Sequence, residues 1–141
     1  MMGQSCADWR DSSSIEFLTP HRLWGGLAMG SIPISSAVVL LSLEARPKPL
    51  KGFWIRRDEK THGLGGLISG ELDRSDHVVI VDDVTTSGLS VLKAVDAVEG
   101  AGAAVLKVVA IVDRLEGARE NVQDRGVPFE SLFTRDDVLA T

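Results

Sequence analysis

Cysteine is almost missing from this chain: Cys6 stands alone. It cannot form an internal disulfide or a cysteine-built metal site, so a reducing cytoplasm is the expected compartment. Long apolar runs are missing too. The most apolar segment, Ile32 to Leu43, is too short and too punctuated by serine to span a bilayer, and no basic leader precedes it; neither membrane insertion nor export is expected. Positive charge is in deficit, with 15 Lys and Arg against 20 Asp and Glu and a net charge of -5. This argues against a nucleic-acid surface, although Arg56, Arg57 and Lys60 form a local cluster able to meet an anion. No GxxxxGK[ST], GxGxxG or GxSxG stretch occurs, and His21, His62 and His77 lie far apart. Most nucleoside-triphosphatase, dehydrogenase, hydrolase and zinc-site readings fall with them.

What is present centres on His77 to Ser90, HVVIVDDVTTSGLS. Four apolar residues, Val78 to Val81, fit a strand buried on both faces, as in a parallel sheet covered by helices. They stop at Asp82 and Asp83, followed by the hydroxyls and glycine of Thr85, Thr86, Ser87 and Gly88. In such sheets ligands bind where strands end on their carboxyl side, so the two acids are either site residues or a solvated strand end.

The 141 residues, 44% of them apolar, suit one domain with a modest core. Residues 1–24 read as an uncertain, partly disordered segment and residues 25–141 as the folded domain. Gly25 to Ser31 reads as a glycine loop, either a tight turn or an anion cradle. A helix follows over about Ile32 to Leu43, capped by Ser31, burying Ile34, Ala37, Val38 and Leu41 and ended by Pro47 and Pro49. Gly52 to Arg57 reads as a strand. Asp58 to Gly70 mixes charge with glycine and reads as a long mobile loop or a solvated hairpin tip.

Helical spacing returns at Leu89, Leu92, Val95 and Val98, closed by Gly100 to Gly102. A strand over Ala103 to Arg114, a short helix over about Leu115 to Gln123, a strand near Pro128 to Phe133 and a turn capped by Thr134 complete the chain. The fold class expected is therefore α/β, with a mainly parallel sheet flanked by helices. The acid pair, hydroxyl turn, glycine loop and cationic loop together suit a ligand carrying phosphates and sugar hydroxyls. Carboxylates accept hydrogen bonds from ribose hydroxyls, and amides at a helix start bind a phosphate.

VVIVDDVTTSG resembles the phosphoribosyl-diphosphate (PRPP) motif of type I phosphoribosyltransferases. WIRRDEKTHGLGG resembles the flexible catalytic loop of orotate phosphoribosyltransferases, GGLAMGSIPISSAV their pyrophosphate loop with the helix after it, and VDRLEGARE and SLFTRDDV their C-terminal part. The resemblance covers about Gly25 to Val138. It implies Mg²⁺-dependent phosphoribosyl transfer from PRPP to orotate, giving orotidine 5'-monophosphate and pyrophosphate, by a homodimer that shares its flexible loop across the interface.

The resemblance also implies roles. Arg56, Arg57, Lys60 and His62 would neutralise the departing pyrophosphate, with Arg57 where a lysine is usual. Asp82 and Asp83 would face the ribose; Val84, Thr85, Thr86, Ser87 and Gly88 would hold the 5-phosphate; Arg114 would contact orotate. Gly26, Ala28, Met29 and Gly30 would form the pyrophosphate loop, with Gly30 where some members carry a lysine. Mg²⁺ would be held mainly by pyrophosphate and ribose oxygens, with no direct protein ligand. The N-terminal hood that covers the base in orotate phosphoribosyltransferases has no recognisable counterpart. That leaves open a PRPP-binding non-catalytic or regulatory module, or transfer to another base.

Overall fold

The computed structural model describes residues 23–57 and 67–140. Six strands and four helices follow one another along them: β1 (Leu23–Leu27), α1 (Ser31–Ala45), β2 (Lys51–Ile55), β3 (Ile68–Ser69), β4 (His77–Thr85), α2 (Leu89–Gly100), β5 (Ala104–Asp113), α3 (Ala118–Asp124), β6 (Phe129–Thr134) and α4 (Arg135–Leu139). They form one sheet in the order β3-β2-β1-β4-β5-β6. All pairings are parallel except β2 with β3. The expected mainly parallel sheet flanked by helices is thus the observed one.

After β1 the chain moves outward to β2, then returns to the other side of β1 and moves outward again through β4, β5 and β6. The order therefore reverses between β1 and β4, and α1 and α2 lie on opposite faces. One face packs Leu23, Phe53, Ile55, Val78 and Ile80 against Val91, Ala94, Val95 and Val98 of α2. The other packs Trp24, Val79, Val81 and Val109 against Ile34, Val38 and Val39 of α1. Val78 to Val81 are at most 1% exposed, as a strand covered on both faces requires.

Several boundaries differ from the sequence reading. Gly25 and Gly26 belong to β1, paired with Phe53 and Trp54, so the connecting loop is only Ala28 to Gly30. Both glycines are demanded by packing: a Cβ on Gly25 would strike the Phe53 carbonyl and ring, and one on Gly26 the Val81 carbonyl and Ser31. The cap of α1 is Gly30 and not Ser31, whose hydroxyl donates to the Leu27 carbonyl at 2.9 Å. Ala37 and Leu41 face outward, while Ser31, Ser35 and Ser42 are buried.

This helix is apolar all round, so its spacing carries no information about which face packs. Small serines let it approach the sheet, and their hydroxyls are satisfied within the chain: Ser35 on Ser31 O at 2.9 Å, Ser42 on Val39 O at 2.6 Å. In α2 the buried residues are Val91, Ala94, Val95 and Val98, and Leu89 is exposed. Helix α3 begins at Ala118, three residues later than expected, because Gly117 turns the chain at φ 106°. The short strand β3 lies in what reads as loop sequence. Thr134 caps α4 as expected, in a reciprocal pair with Asp137.

Replacing Gly25 with Ala is expected to destabilise the fold by about 3 kcal/mol, since the obstacle is backbone. Gly100→Ala, with nothing within 4 Å of the added atom, should stabilise by about 0.5 kcal/mol instead. Urea midpoints measure both, and equal midpoints would show that the β1–β2 pair can relax.

Candidate functional site

Strand β4 has two neighbours over its first half and one over its second. Its pairing with β1 ends at Gly25 and Ile80, whereas its pairing with β5 continues to Thr85 and Asp113. Asp82 and Asp83 are therefore not beyond the strand, as the sequence suggested, but within it. They lie on the stretch whose β1 edge has come free. The loop Ala28 to Gly30 fills part of that edge. Leu27, Met29, Gly30, Arg57, Asp82, Asp83, Val84 and Ser90 line an open cleft of ≈ 240 Å³ there.

The loop is pinned at three points: Ala28 N–H donates to the Ile55 carbonyl at 2.8 Å, Ile32 N–H to the Met29 carbonyl at 3.1 Å, and Arg57 Nε to the Ala28 carbonyl at 2.9 Å. The Ala28–Met29 peptide is cis. A Cβ on Gly30 would collide with the Asp83 carboxylate, so the acid pair occupies the space that a side chain at position 30 would need. A side chain at position 30 would therefore require the Asp83 carboxyl group to shift.

Asp82 is the perturbed group. Burial, then the neighbouring Asp83 carboxyl, push its pKa up from 3.8 to about 7, against the opposing pull of the Asp83 backbone N–H and the Arg57 charge. The Asp83 N–H donates to Asp82 Oδ1 at 3.0 Å and the Val84 N–H to Asp83 Oδ1 at 2.7 Å, which fixes both carboxyl groups. Beyond them Thr85 is buried, Thr86 exposed and Gly88 left-handed at φ 86°, leading into α2. Ser90, in the first turn of α2, also faces the cleft. The sequence reading stopped at Gly88 and missed it; a hydroxyl two residues into the helix was the available signal.

Of the other anticipated residues, Arg56 is turned to Ser69 Oγ at 3.0 Å. Gly26 is buried inside β1, not in the loop. Arg114 pairs with Glu116 at 3.0 Å and is not in the cleft lining. Lys60 and His62 lie outside the described residues. Among the described residues no group of three or more His, Cys, Asp or Glu side chains could hold a metal, and no helix is long and apolar enough to cross a membrane.

A sheet whose order reverses beside an acid pair, a cationic side chain and a hydroxyl turn at a helix start defines an α/β domain with a candidate ligand cleft at its switch point. The family described as phosphoribosyl transferase domain matches residues 26–129. An orotate phosphoribosyltransferase of Aquifex aeolicus is 42% identical over 115 residues, covering 82% of this chain and 62% of its own length. The Mycobacterium tuberculosis orotate phosphoribosyltransferase, solved with Fe(III) dicitrate, superposes with a TM-score of 0.75 at 32% identity, covering 89% of this chain and 71% of that one. The same enzyme solved with PRPP gives a TM-score of 0.72 at 29% identity, covering 88% and 68%. The chain belongs to the phosphoribosyltransferase family, on its orotate phosphoribosyltransferase branch. It spans less than two thirds of the length of the Aquifex aeolicus relative.

The raised pKa has a consequence for stability. The folded chain holds the Asp82 proton up to about 7 and the unfolded chain releases it near 3.8. Between those values the unfolded state binds fewer protons, so the contribution of Asp82 falls as pH rises from about 4 to about 7. Melting temperatures across that window should decline in the native sequence and decline less in Asp82→Asn; parallel profiles would assign the slope to other groups.

Proposed function

We propose that this protein transfers the phosphoribosyl group of PRPP to orotate, forming orotidine 5'-monophosphate and pyrophosphate. The observation that carries this is the convergence of Asp82, Asp83, Arg57, Gly30 and the start of α2 on one cleft at the point where the strand order reverses. The acids accept hydrogen bonds from the ribose hydroxyls, while the turn from Thr86 to Gly88 offers amides and hydroxyls to the 5-phosphate, the expected Thr85 hydroxyl being buried. In the reaction a ring nitrogen of the base bonds to the sugar carbon as its bond to pyrophosphate breaks. The cationic character this gives the sugar suits the anionic field of the acid pair. Arg57, anchored on the Ala28 carbonyl, lies where it can receive the departing pyrophosphate, and Lys60 and His62 would join it.

The site fits Mg²⁺ brought in by the substrate and held mainly by pyrophosphate and ribose oxygens. Among the described residues no cluster of side chains could hold the ion by itself, and this ion keeps waters and substrate phosphates as ligands. When bound it would neutralise charge on the leaving pyrophosphate. We take the expected residues 25–141, extended by Leu23 and Trp24 of β1, as the phosphoribosyltransferase domain and the cytoplasm as its compartment, as the lone Cys6 suggests. We also propose a homodimer. Its support is the outward face of α1, where Leu40, Leu41 and Leu43 are 65%, 68% and 57% exposed, an apolar surface that association would cover.

A second reading, PRPP binding without transfer, is favoured by the Arg114–Glu116 pair, which engages the expected base-contacting arginine away from the cleft. Loss of orotate absorbance in the presence of PRPP and Mg²⁺ is the result expected of an enzyme. PRPP binding by calorimetry with no turnover of any nucleobase would establish the second reading and sink the first.

The double variant Asp82→Asn with Asp83→Asn should weaken PRPP binding by about a hundredfold or more, since each hydrogen bond to a charged group is worth about 1.5–3 kcal/mol. Its circular dichroism should match that of the native chain. A variant that unfolds instead would give the pair a structural role.

A further inference from the structure

Three successive carbonyl groups of the phosphate turn are held from one side. The Arg114 N–H donates to the Thr85 carbonyl at 3.0 Å and the Ala118 N–H to the Thr86 carbonyl at 3.1 Å. Asn121 Nδ2 donates to the Ser87 carbonyl at 2.7 Å. The donors come from the residue after β5, the first residue of α3 and a side chain one helical turn further on. Next along the turn, Gly88 lies so close to α3 that a Cβ would come within 3.1 Å of Ala118 Cα. The β5–α3 connection thus braces the turn residue by residue.

In a planar trans peptide the carbonyl of one residue and the N–H of the next point in opposite directions. Holding the carbonyls of Thr85, Thr86 and Ser87 toward α3 therefore turns the N–H groups of Thr86, Ser87 and Gly88 the other way. The first-turn N–H groups of α2, which have no intrahelical acceptor, continue that row, and Leu92 makes the first bond back, to Gly88, at 2.9 Å. Two of the three brace contacts are backbone to backbone. The third depends on a side chain, and Asn121 itself is set in place by its N–H bond to the Gly117 carbonyl at 3.0 Å.

We propose that Asn121 is a positioning residue for the phosphate end of the cleft, holding the Ser87 carbonyl toward α3 so that the Gly88 N–H is presented to the phosphate. The inference rests on the reading above that this turn takes the 5-phosphate of PRPP. It adds a residue that lies outside the cleft lining and more than thirty positions along the chain from the turn it serves.

Calorimetry with PRPP and Mg²⁺ on the native chain, Asn121→Ala, Asn121→Asp and the neighbouring surface variant Glu120→Ala tests this. Both Asn121 variants should bind about fivefold more weakly or worse, the effect of one net hydrogen bond, while Glu120→Ala binds as the native chain does. Melting temperatures should hold, and the Gly88 amide should exchange its hydrogen faster in both Asn121 variants. Native affinity in Asn121→Ala overturns the inference even if Asn121→Asp is weak, because added charge alone would then explain the latter. A lower melting temperature with unchanged affinity overturns it as well, leaving a structural role. If Asn121→Ala does not fold, the isosteric Asn121→Asp compared at low and high salt separates the lost donor from the added charge and decides. A native chain that fails to bind PRPP overturns the functional reading and this inference with it; variants indistinguishable from a native chain that binds overturn the inference alone.

Discussion

The structure depends on where one hydrogen-bond ladder ends. Strand β4 is held on both edges as far as Ile80 and on one edge from there to Thr85. The first half is a core element, sealed on both faces by α1 and α2. The second keeps its direction because β5 still holds it, yet exposes its other edge to a ligand. A site built on such a half-paired strand is rigid without being closed. That is what an acid pair needs if it is to be partly desolvated and still reachable.

Partial desolvation has an electrostatic cost that the neighbours divide between them. Burial and the Asp83 carboxyl raise the Asp82 pKa, while Arg57 and the Asp83 N–H resist the rise. The raising effects prevail, so Asp82 holds its proton well above the ordinary carboxylate range. Gly30 is part of the same balance. Its missing side chain lets the loop lie against Asp83, which brings Arg57 to the pair through the Ala28 carbonyl. A larger residue at position 30 would have to displace the Asp83 carboxyl group or the loop.

Much of this was legible in the sequence, for a reason that also explains what was not. Val78 to Val81 followed by two acids and TTSG is a local pattern, and local pattern identifies a buried strand and the turn after it. The alternation of such segments identifies a parallel sheet. The packing face of α1 was not legible, because apolar residues surround that helix and the choice fell to three serines small enough to approach the sheet. Gly25 and Gly26 look like loop residues until Phe53, Val81 and Ser31 are placed around them. Ser90 and Asn121 act through where tertiary structure puts them, one facing the cleft and one bonding a distant carbonyl. Ser90 left only its place two residues into the helix as a signal, and Asn121 left none.

The brace on the phosphate turn bears on how the two ends of a substrate would be read together. Arg114, the residue expected to meet the base, follows directly on β5, and its own N–H holds the Thr85 carbonyl. Asp113 fixes the next step by accepting the Leu115 N–H at 2.9 Å, where the chain takes a left-handed turn at φ 59°. Arg114 and the turn from Thr85 to Ser87 therefore belong to one hydrogen-bonded unit and not to two loops placed independently. A shift of α3 that loosened the turn would also move the backbone of Arg114. If the turn holds the 5-phosphate and Arg114 meets the base, as proposed above, the two contacts share the backbone of Thr85.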